Sequence, residues 1–523
     1  MLLDNKIWVA QGENPCYLLL NQANRHGIIS GASGTGKTVT LKLIAEGFSQ
    51  AGVPVFMADV KGDVTGMCQA GEDTENIQKR VEKFGIADWS LRGCPCRFWD
   101  MIDGNGIPIR VTVSDMGPTL LSRLLGLSEA QEGVLNIVFR IADEKGLLLI
   151  DLKDLRTMLN YAAEHASEYE TTYGRIPKQS VTTILRELVA VEDEGGDVFF
   201  GEPNLDINDW FACDENGSGY VNILNAAKLV QHPSIYSMFL LWMLSSLFDT
   251  LPEVGDPEKP KFVFFFDEAH LLFNDMPKSL TDKIIQVVKL IRSKGVGVYF
   301  ITQSPSDIPD EVLAQLSNKV QHGLRAYTPA DQKAVKAAAK SFRENPKFDS
   351  EAAILELGTG EALVSFLDES GRPSVVENAK VLPPQCLMAA ASEENVQAQI
   401  ANQAQLMAKY EQSVDRESAY EQVAAEKEEQ EKADALQAER EALEKEKAEW
   451  EAQKAKEEEA ARKKAEKEAE AKAKAEAKKA EQEERARQKK QEQRERQIAS
   501  IGTSMVRTAG NKIVRGILGN LFK

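Results

Sequence analysis

Short apolar runs alternate with amphipathic stretches along the first 385 residues or so. The runs at residues 53–58 (VPVFMA), 262–266 (FVFFF) and 295–301 (GVGVYFI) are apolar at nearly every position. Such runs are typical of parallel strands that are covered on both faces. The stretches between them repeat apolar residues at helical spacing. The alternation predicts an α/β fold with a mostly parallel, doubly wound sheet.

One part of this region is helical throughout. From residue 119 to about residue 215, apolar side chains recur three and four positions apart, as at Val134, Ile137, Val138 and Ile141. We therefore expect a helical insert between strands of the sheet. The apolar stretch at residues 235–248 is too short to span a bilayer and contains serines, so it predicts a buried helix.

The composition changes after residue 385. Residues 393–500 are dominated by Ala, Glu, Lys, Gln and Arg and contain neither Gly nor Pro, which predicts a long solvated helix. Leu436, Leu443 and Trp450 are seven residues apart, as in a coiled-coil seam, but the next two positions of that register, Glu457 and Lys464, are charged. A solvated spacer and a partial coiled coil both remain open.

The last segment, residues 501–523, is different again. Its apolar residues repeat at helical spacing and its only charges are basic, although four glycines weaken the helix prediction. A basic amphipathic helix is typical of an element that docks on a partner protein or a membrane surface. Packing on the protein's own core is the alternative.

These changes divide the chain into six segments. They are a short N-terminal cap (1–27), the first part of the core (28–118), the helical insert (119–215), the second part of the core (216–385), the long charged helix (386–500) and the basic amphipathic segment (501–523).

Charge and cysteine usage narrow the function classes. The formal net charge of −18 over 523 residues is not typical of a protein that coats nucleic acid. A ring-shaped assembly of such chains could still have a basic pore. The six cysteines show no zinc-binding spacing, and the first residues do not resemble a signal peptide. We expect reduced thiols, no bound zinc and a cytoplasmic protein, with peripheral membrane contact left open.

A phosphate-binding motif follows the first core strand. Residues 31–38 fit G-x-x-x-x-G-K-[ST], between an apolar run and a predicted helix. Glycines let successive N–H groups surround phosphate oxygens at the positive end of that helix. Lys37 would reach the β- and γ-phosphates of ATP, and the Thr38 hydroxyl would hold Mg²⁺. The expected nucleotide contacts are Gly31, Ala32, Ser33, Gly34, Thr35, Gly36, Lys37, Thr38 and Val39.

A second motif follows the run FVFFF. Asp267 at the tip of that strand would support Mg²⁺, and the adjacent Glu268 would be the general base that activates the attacking water. A carboxylate pair in this position can also be a simple helix N-cap. The phosphate-binding motif at residues 31–38 of the same chain (a P-loop) favours catalytic roles for this carboxylate pair.

Two further strand ends carry polar residues. Asp59 ends the run at residues 53–58, at the sheet edge where ligands of open α/β sheets bind, and is a candidate nucleotide contact. Gln303 ends the run that begins at Gly295 and could sense the γ-phosphate and the attacking water. A solvated strand end is the alternative for Gln303.

The combination of motifs resembles the HerA/FtsK group of P-loop ATPases and is most similar to the YjgR-type bacterial proteins with a HerA-like domain. The resemblance covers about residues 15–385 and rests on five stretches: NRH, GASGTGKT, Asp59 with the following KGD, FFFDEAH, and IRSKG leading to ITQSPSDIP. It implies a RecA-like fold and a homohexameric ring with ATP and Mg²⁺ between subunits. Some members of the group move double-stranded DNA, and HerA does so with a partner nuclease.

The resemblance also implies arginines at the subunit interface. Arg292 and Arg25 lie at the matching places, and Arg325 is a third candidate. A surface ion pair is the alternative for each. One departure is clear, since residues 1–27 are too few for the β-barrel that precedes the P-loop of HerA. The implied function is a ring-shaped ATPase that moves DNA, and the alternative is an ATP-switched assembly protein that recruits a protein partner or a membrane through its C-terminal helix and tail.

Overall fold

The computed structural model describes residues 2–490 except 88, 103 and 274–277, and the tail predicted at 501–523 lies outside these residues. The strands are β1 (Leu2–Leu3), β2 (Lys6–Gln11), β3 (Pro15–Leu19), β4 (Gly27–Ser30), β5 (Val55–Asp59), β6 (Cys96–Asp100), β7 (Ile107–Pro108), β8 (Val221–Asn225), β9 (Phe262–Phe266), β10 (Val296–Thr302), β11 (Asn318–His322), β12 (Glu361–Ser365) and β13 (Glu377–Val381).

The helices of the first 385 residues surround these strands and fill the interval between β7 and β8. They are α1 (Lys37–Gln50), α2 (Glu75–Phe84), α3 (Val113–Leu124), α4 (Glu129–Lys145), α5 (Leu152–Glu164), α6 (Ala166–Tyr173), α7 (Lys178–Asp193), α8 (Gly196–Phe199), α9 (Pro233–Thr250), α10 (Lys278–Ile291), α11 (Asp310–Leu313), α12 (Pro329–Lys340) and α13 (Ser350–Glu356). The C-terminal helices are α14 (Glu393–Ala401), α15 (Ala404–Tyr410) and α16 (Ala419–Lys490).

The strands form one sheet in the order β1-β2-β13-β12-β11-β4-β10-β9-β5-β8-β6-β7, with β3 paired to β2. Every pair from β11 to β7 is parallel, and the pairs from β11 towards β1 are antiparallel. The predicted mostly parallel α/β sheet is therefore confirmed. The N-terminal strands do not form a separate layer, because β2 pairs with β13 and extends the antiparallel edge.

Both faces of the sheet are covered, which explains the uninterrupted apolar run of β9. Phe262, Phe264 and Phe266 belong to the core on the side of α9 and the insert, whereas Val263 and Phe265 belong to the core on the side of α1. Alternate side chains of a strand point to opposite faces, so a strand between two helical layers must be apolar at every position. None of the described helices combines the length and apolar character needed to cross a bilayer.

The region after the sheet is less regular than predicted. The long helix α16 begins at Ala419 rather than near residue 386, and the first compact unit of the chain extends to Lys427. The intervening segment is held on α1 by two buried charges. Lys42 Nζ donates to the carbonyl oxygens of Leu387 and Met388 at 2.9 Å each, and Glu46 accepts from the Gln385 amide at 3.0 Å. From Glu428 onward, the described part of α16 is a charged, exposed helix.

Candidate active site

The phosphate loop lies between β4 and α1, as its sequence predicts. Gly34 and Gly36 have φ angles of 76° and 116°, which residues with a Cβ rarely adopt. Gly31 has no room for a Cβ, because that atom would lie 2.5 Å from Cβ of His322. The loop therefore depends on its glycines both for its turn and for its close contact with β11.

The side chain of Lys37 folds back onto the phosphate loop. Its side chain is 8% exposed, and Nζ donates to the carbonyl oxygens of Gly31 at 2.7 Å and Ala32 at 3.1 Å. Burial and the nearby Lys61 cation lower the pKa of Lys37. A buried ammonium that has only neutral acceptors would gain from an anion in the loop, so this arrangement fits a phosphate group.

Strand register places the other predicted residues beside this loop. Thr302, the last residue of β10, is paired with Ser30, so Gln303 follows next to the start of the loop. Phe266, the last residue of β9, is paired with Ala58 of β5, which sets Asp267 beside Asp59. Parallel strands end at a common edge, and the polar residues after them therefore converge.

Glu268 has three polar neighbours. It adopts a left-handed backbone conformation with φ of 47°, and its carboxylate contacts the ammonium of Lys61. Gln303 Nε2 donates to Glu268 Oε2 at 3.4 Å, and His270 Nδ1 lies 3.2 Å from the same oxygen. Burial alone would raise the pKa of Glu268, but Lys61 and Gln303 outweigh it and the pKa is lowered. The side chain is therefore ionised at neutral pH.

Asp59, the last residue of β5, and Asp63, in the turn after it, have different environments. Asp59 uses both oxygens to accept the backbone N–H groups of Gly62 at 2.6 Å and Val64 at 3.2 Å. Asp63 instead faces the phosphate loop, where Thr38 Oγ1 donates to its Oδ2 at 3.1 Å. Asp59 thus shapes the turn that carries Asp63 and Lys61. The sequence analysis named only Asp59 as a candidate nucleotide contact, because the side-chain directions within this turn cannot be derived from the sequence.

The carboxylates near Thr38 fit a divalent cation. Asp63 Oδ1 is buried and has no hydrogen-bond partner among the described residues. Burial raises the pKa of Asp267 to about 6, and burial together with Asp63 raises the pKa of Asp59 to about 6. Thr38, Asp63 and Asp267 supply the hard oxygen atoms that Mg²⁺ prefers, with water completing its coordination.

His322 is a supporting residue that the sequence did not identify. Its ring is buried between α1 and β12, with Nε2 2.8 Å from Thr40 Oγ1 and Nδ1 2.9 Å from the Glu361 carbonyl oxygen. Burial lowers the pKa of His322 to about 4, so the ring is neutral at physiological pH. It holds the first turn of α1 against the sheet.

Two of the three candidate arginines lie far from this cluster. Arg25 precedes β4 and Arg292 precedes β10, whereas the catalytic candidates follow the ends of those strands. The seven residues of β10 span about 23 Å, which separates Arg292 from the phosphate loop of the same chain. Both instead pair with Asp256, at 3.7 Å for Arg25 and 2.9 Å for Arg292.

Arg325 lies on the same side as the phosphate loop. It follows β11 and lines a cavity of about 400 Å³ together with Ala32, Ser33, Gln303 and His270. Arg325 is exposed, and it is the candidate arginine closest to the loop within one chain.

Comparisons with known proteins agree with these motifs. A family model described as helicase HerA-like C-terminal matches residues 4–523. A protein of Methanocaldococcus jannaschii named "Probable helicase MJECL08" is 32% identical over 157 residues, 28% of each chain. The DNA double-strand break repair helicase HerA of Sulfolobus acidocaldarius is 21% identical over 357 residues, which are 66% of this chain and 63% of the relative. The chain thus spans between about a quarter and two thirds of the length of these relatives.

Solved structures with a similar chain path include two bacterial proteins. The bacterial conjugative coupling protein TrwB has a TM-score of 0.48 at 15% identity, over 73% of this chain and 91% of that one. VirB4 of Thermoanaerobacter pseudethanolicus has a TM-score of 0.45 at 16% identity, over 73% of this chain and 97% of that one.

Proposed function

Because the chain belongs to the family described as helicase HerA-like C-terminal, we propose that it is a ring-forming ATP hydrolase that moves double-stranded DNA. The observation that carries the proposal is the convergence of the Lys37 loop, Thr38, Asp267, Glu268 and Gln303 at one edge of the sheet.

The side chains have separate roles in the proposed hydrolysis. The loop amides and Lys37 bind the phosphates, while Thr38 and Asp267 hold Mg²⁺ with Asp63 beside them. When bound, Mg²⁺ neutralises charge on the phosphate oxygens. Glu268 accepts a proton from the attacking water, and Gln303, which already donates to Glu268, orients that water.

The position of the arginines supports a ring. Arg25 and Arg292 lie at the sheet edge opposite their own phosphate loop, so they can contact a nucleotide only if that nucleotide belongs to a neighbouring subunit. An arginine supplied in trans contributes roughly 10³–10⁵ in rate. Hydrolysis would therefore require assembly, and a homohexamer is the form we propose.

DNA is the proposed cargo because three of the matched relatives are named DNA double-strand break repair helicases. A protein that grips the phosphate backbone loses affinity steeply as salt rises. A response to DNA should therefore be strongest at low ionic strength.

The test is the ATPase rate against protein concentration, with and without linear double-stranded DNA at low salt, alongside light scattering for mass. A rate per subunit that rises as hexamers form, and rises again with DNA, would support the proposal. A rate that follows assembly but ignores DNA would remove DNA as cargo and favour an ATP-switched assembly protein that recruits a partner or membrane through its C-terminal region. A rate per subunit that does not depend on assembly would argue against a role for Arg25 and Arg292 at the site of a neighbouring subunit.

A further inference from the structure

Helix α12 has one apolar face and one face of lysines. Val335, Ala338 and Ala339 are buried against α13 and β12, whereas Lys333, Lys336 and Lys340 are exposed. At about 100° per residue, the three lysines fall within an arc of roughly 60° on the side away from the buried residues. We call these three residues the lysine stripe.

The positive charge of the lysine stripe is not neutralised locally. Among the described residues, no carboxylate lies within 4 Å of any of the three ammonium groups. The one acidic residue of α12, Asp331, caps the helix by accepting the backbone N–H groups of Tyr327 at 3.0 Å and Thr328 at 2.8 Å. In a chain with a net charge of −18, a helix face whose only charges are cations can attract an anionic partner.

The lysine stripe lies on the helix that borders the candidate active site. Asp331 and Ala334 of α12 line the same cavity as Ala32, Ser33 and Gln303. The loop before α12 adds two more exposed side chains, Arg325 and Tyr327, and the tyrosine is 86% exposed. Arg325 thus adds a further exposed cation to the segment that carries the lysine stripe.

We propose that the lysine stripe binds the phosphate backbone of double-stranded DNA. This inference rests on the proposed function and identifies the surface through which it acts. Lys333 and Lys340 are seven residues apart, about 10 Å along the helix axis. Phosphates of one strand recur about every 3.4 Å along the duplex axis, so flexible lysine side chains spread over this length can reach more than one phosphate. Flexible ammonium groups contact phosphates without reading bases, so this surface holds DNA of any sequence.

The experiment compares two triple variants of the full chain. K333Q/K336Q/K340Q removes the stripe, and K445Q/K447Q/K456Q removes three exposed lysines from α16 as a control with the same change in charge. Affinity for a fluorescent 30-base-pair duplex of arbitrary sequence is measured by anisotropy at several salt concentrations. Each lysine that contacts a phosphate contributes about one to the slope of log K against log salt.

We expect the stripe variant to bind DNA at least tenfold more weakly and to lose up to about three from that slope. Its ATPase rate without DNA should equal that of the wild type, and the control variant should bind DNA normally. Wild-type protein that binds duplex, together with a stripe variant that binds equally well, would overturn the inference and leave the proposed function standing. Wild-type protein that does not bind duplex would overturn both. Loss of the oligomer in the stripe variant alone would assign α12 to a subunit interface and also overturn the inference.

Discussion

The ammonium of Lys61 contacts the carboxylate of Glu268, and the two residues follow the neighbouring parallel strands β5 and β9. The contact joins the candidate general base to the turn that also presents Asp63 to Thr38. A carboxylate that shares its charge with an ammonium is a weaker proton acceptor than a free one. We therefore expect Lys61 to keep the candidate base in a state unsuited to activate water.

Replacing Lys61 by methionine should raise the ATPase rate measured without DNA by several-fold, because Glu268 is then free to accept a proton. The measurement is kcat and KM for ATP, with KM expected to change little. Lys61→Arg keeps the ion pair and should behave as the wild type. A fall of kcat in Lys61→Met that arginine restores would instead place this cation at the reaction itself.

Replacing Glu268 by glutamine should leave nucleotide binding intact and reduce hydrolysis by about 10²–10⁴. The substitution keeps the size of the side chain and the phosphate loop, but the amide cannot accept the proton. Binding of a fluorescent ATP analogue and phosphate release are measured on the same preparation. Normal turnover would remove Glu268 from the role of base.

Arg292→Ala should bind ATP but hydrolyse it at least about 10³-fold more slowly, because in the proposed ring this residue completes the site of a neighbouring subunit. Mixing it with Lys37→Ala subunits should restore part of the activity, since some interfaces then combine an intact loop with an intact arginine. Absence of rescue in rings shown by native mass spectrometry to be mixed would favour a site completed within one subunit. Arg25→Ala mixed in the same way tests the second arginine that pairs with Asp256.

Asp63→Asn should raise the Mg²⁺ concentration needed for tight nucleotide binding by about 10- to 100-fold, the usual effect of losing a carboxylate behind a metal ligand. The physical reason is that Thr38 Oγ1 loses its charged acceptor and the metal loses a nearby anion. Mg²⁺ titrations of nucleotide affinity measure this effect directly, and nucleotide binding without Mg²⁺ is the internal control. An unchanged Mg²⁺ requirement would limit Asp63 to shaping the loop.

Lys42→Met should lower the free energy of unfolding by about 3 kcal/mol. Lys42 is fully buried, and its loss leaves carbonyl groups of residues 387 and 388 without donors, at about 1–3 kcal/mol for each unsatisfied group. Urea denaturation measures the change, and faster proteolysis near residues 385–392 should accompany it. Lys83→Met removes an exposed lysine of α2 and should stay within about 0.5 kcal/mol of the wild type.

The sequence by itself determined the parts of the site that are contiguous in the chain. The phosphate loop needs only a strand, a run of glycines and a helix in succession, so residues 28–39 specify it locally. The same holds for the acidic pair after β9, because a fully apolar strand followed by two carboxylates sets their place at the sheet edge. The parallel sheet followed from the apolar runs for the same reason, since strands buried on both faces have no polar positions.

Only the tertiary structure decided which side chains meet across strands. The contact of Lys61 with Glu268, the choice of Asp63 over Asp59 beside Thr38, and the shared partner of Arg25 and Arg292 all join residues that are distant in the chain or whose direction depends on a turn. The register between strands and the rotation of each turn set these distances. Both result from packing of the whole core, and a shift of one residue would reverse every side chain of a strand.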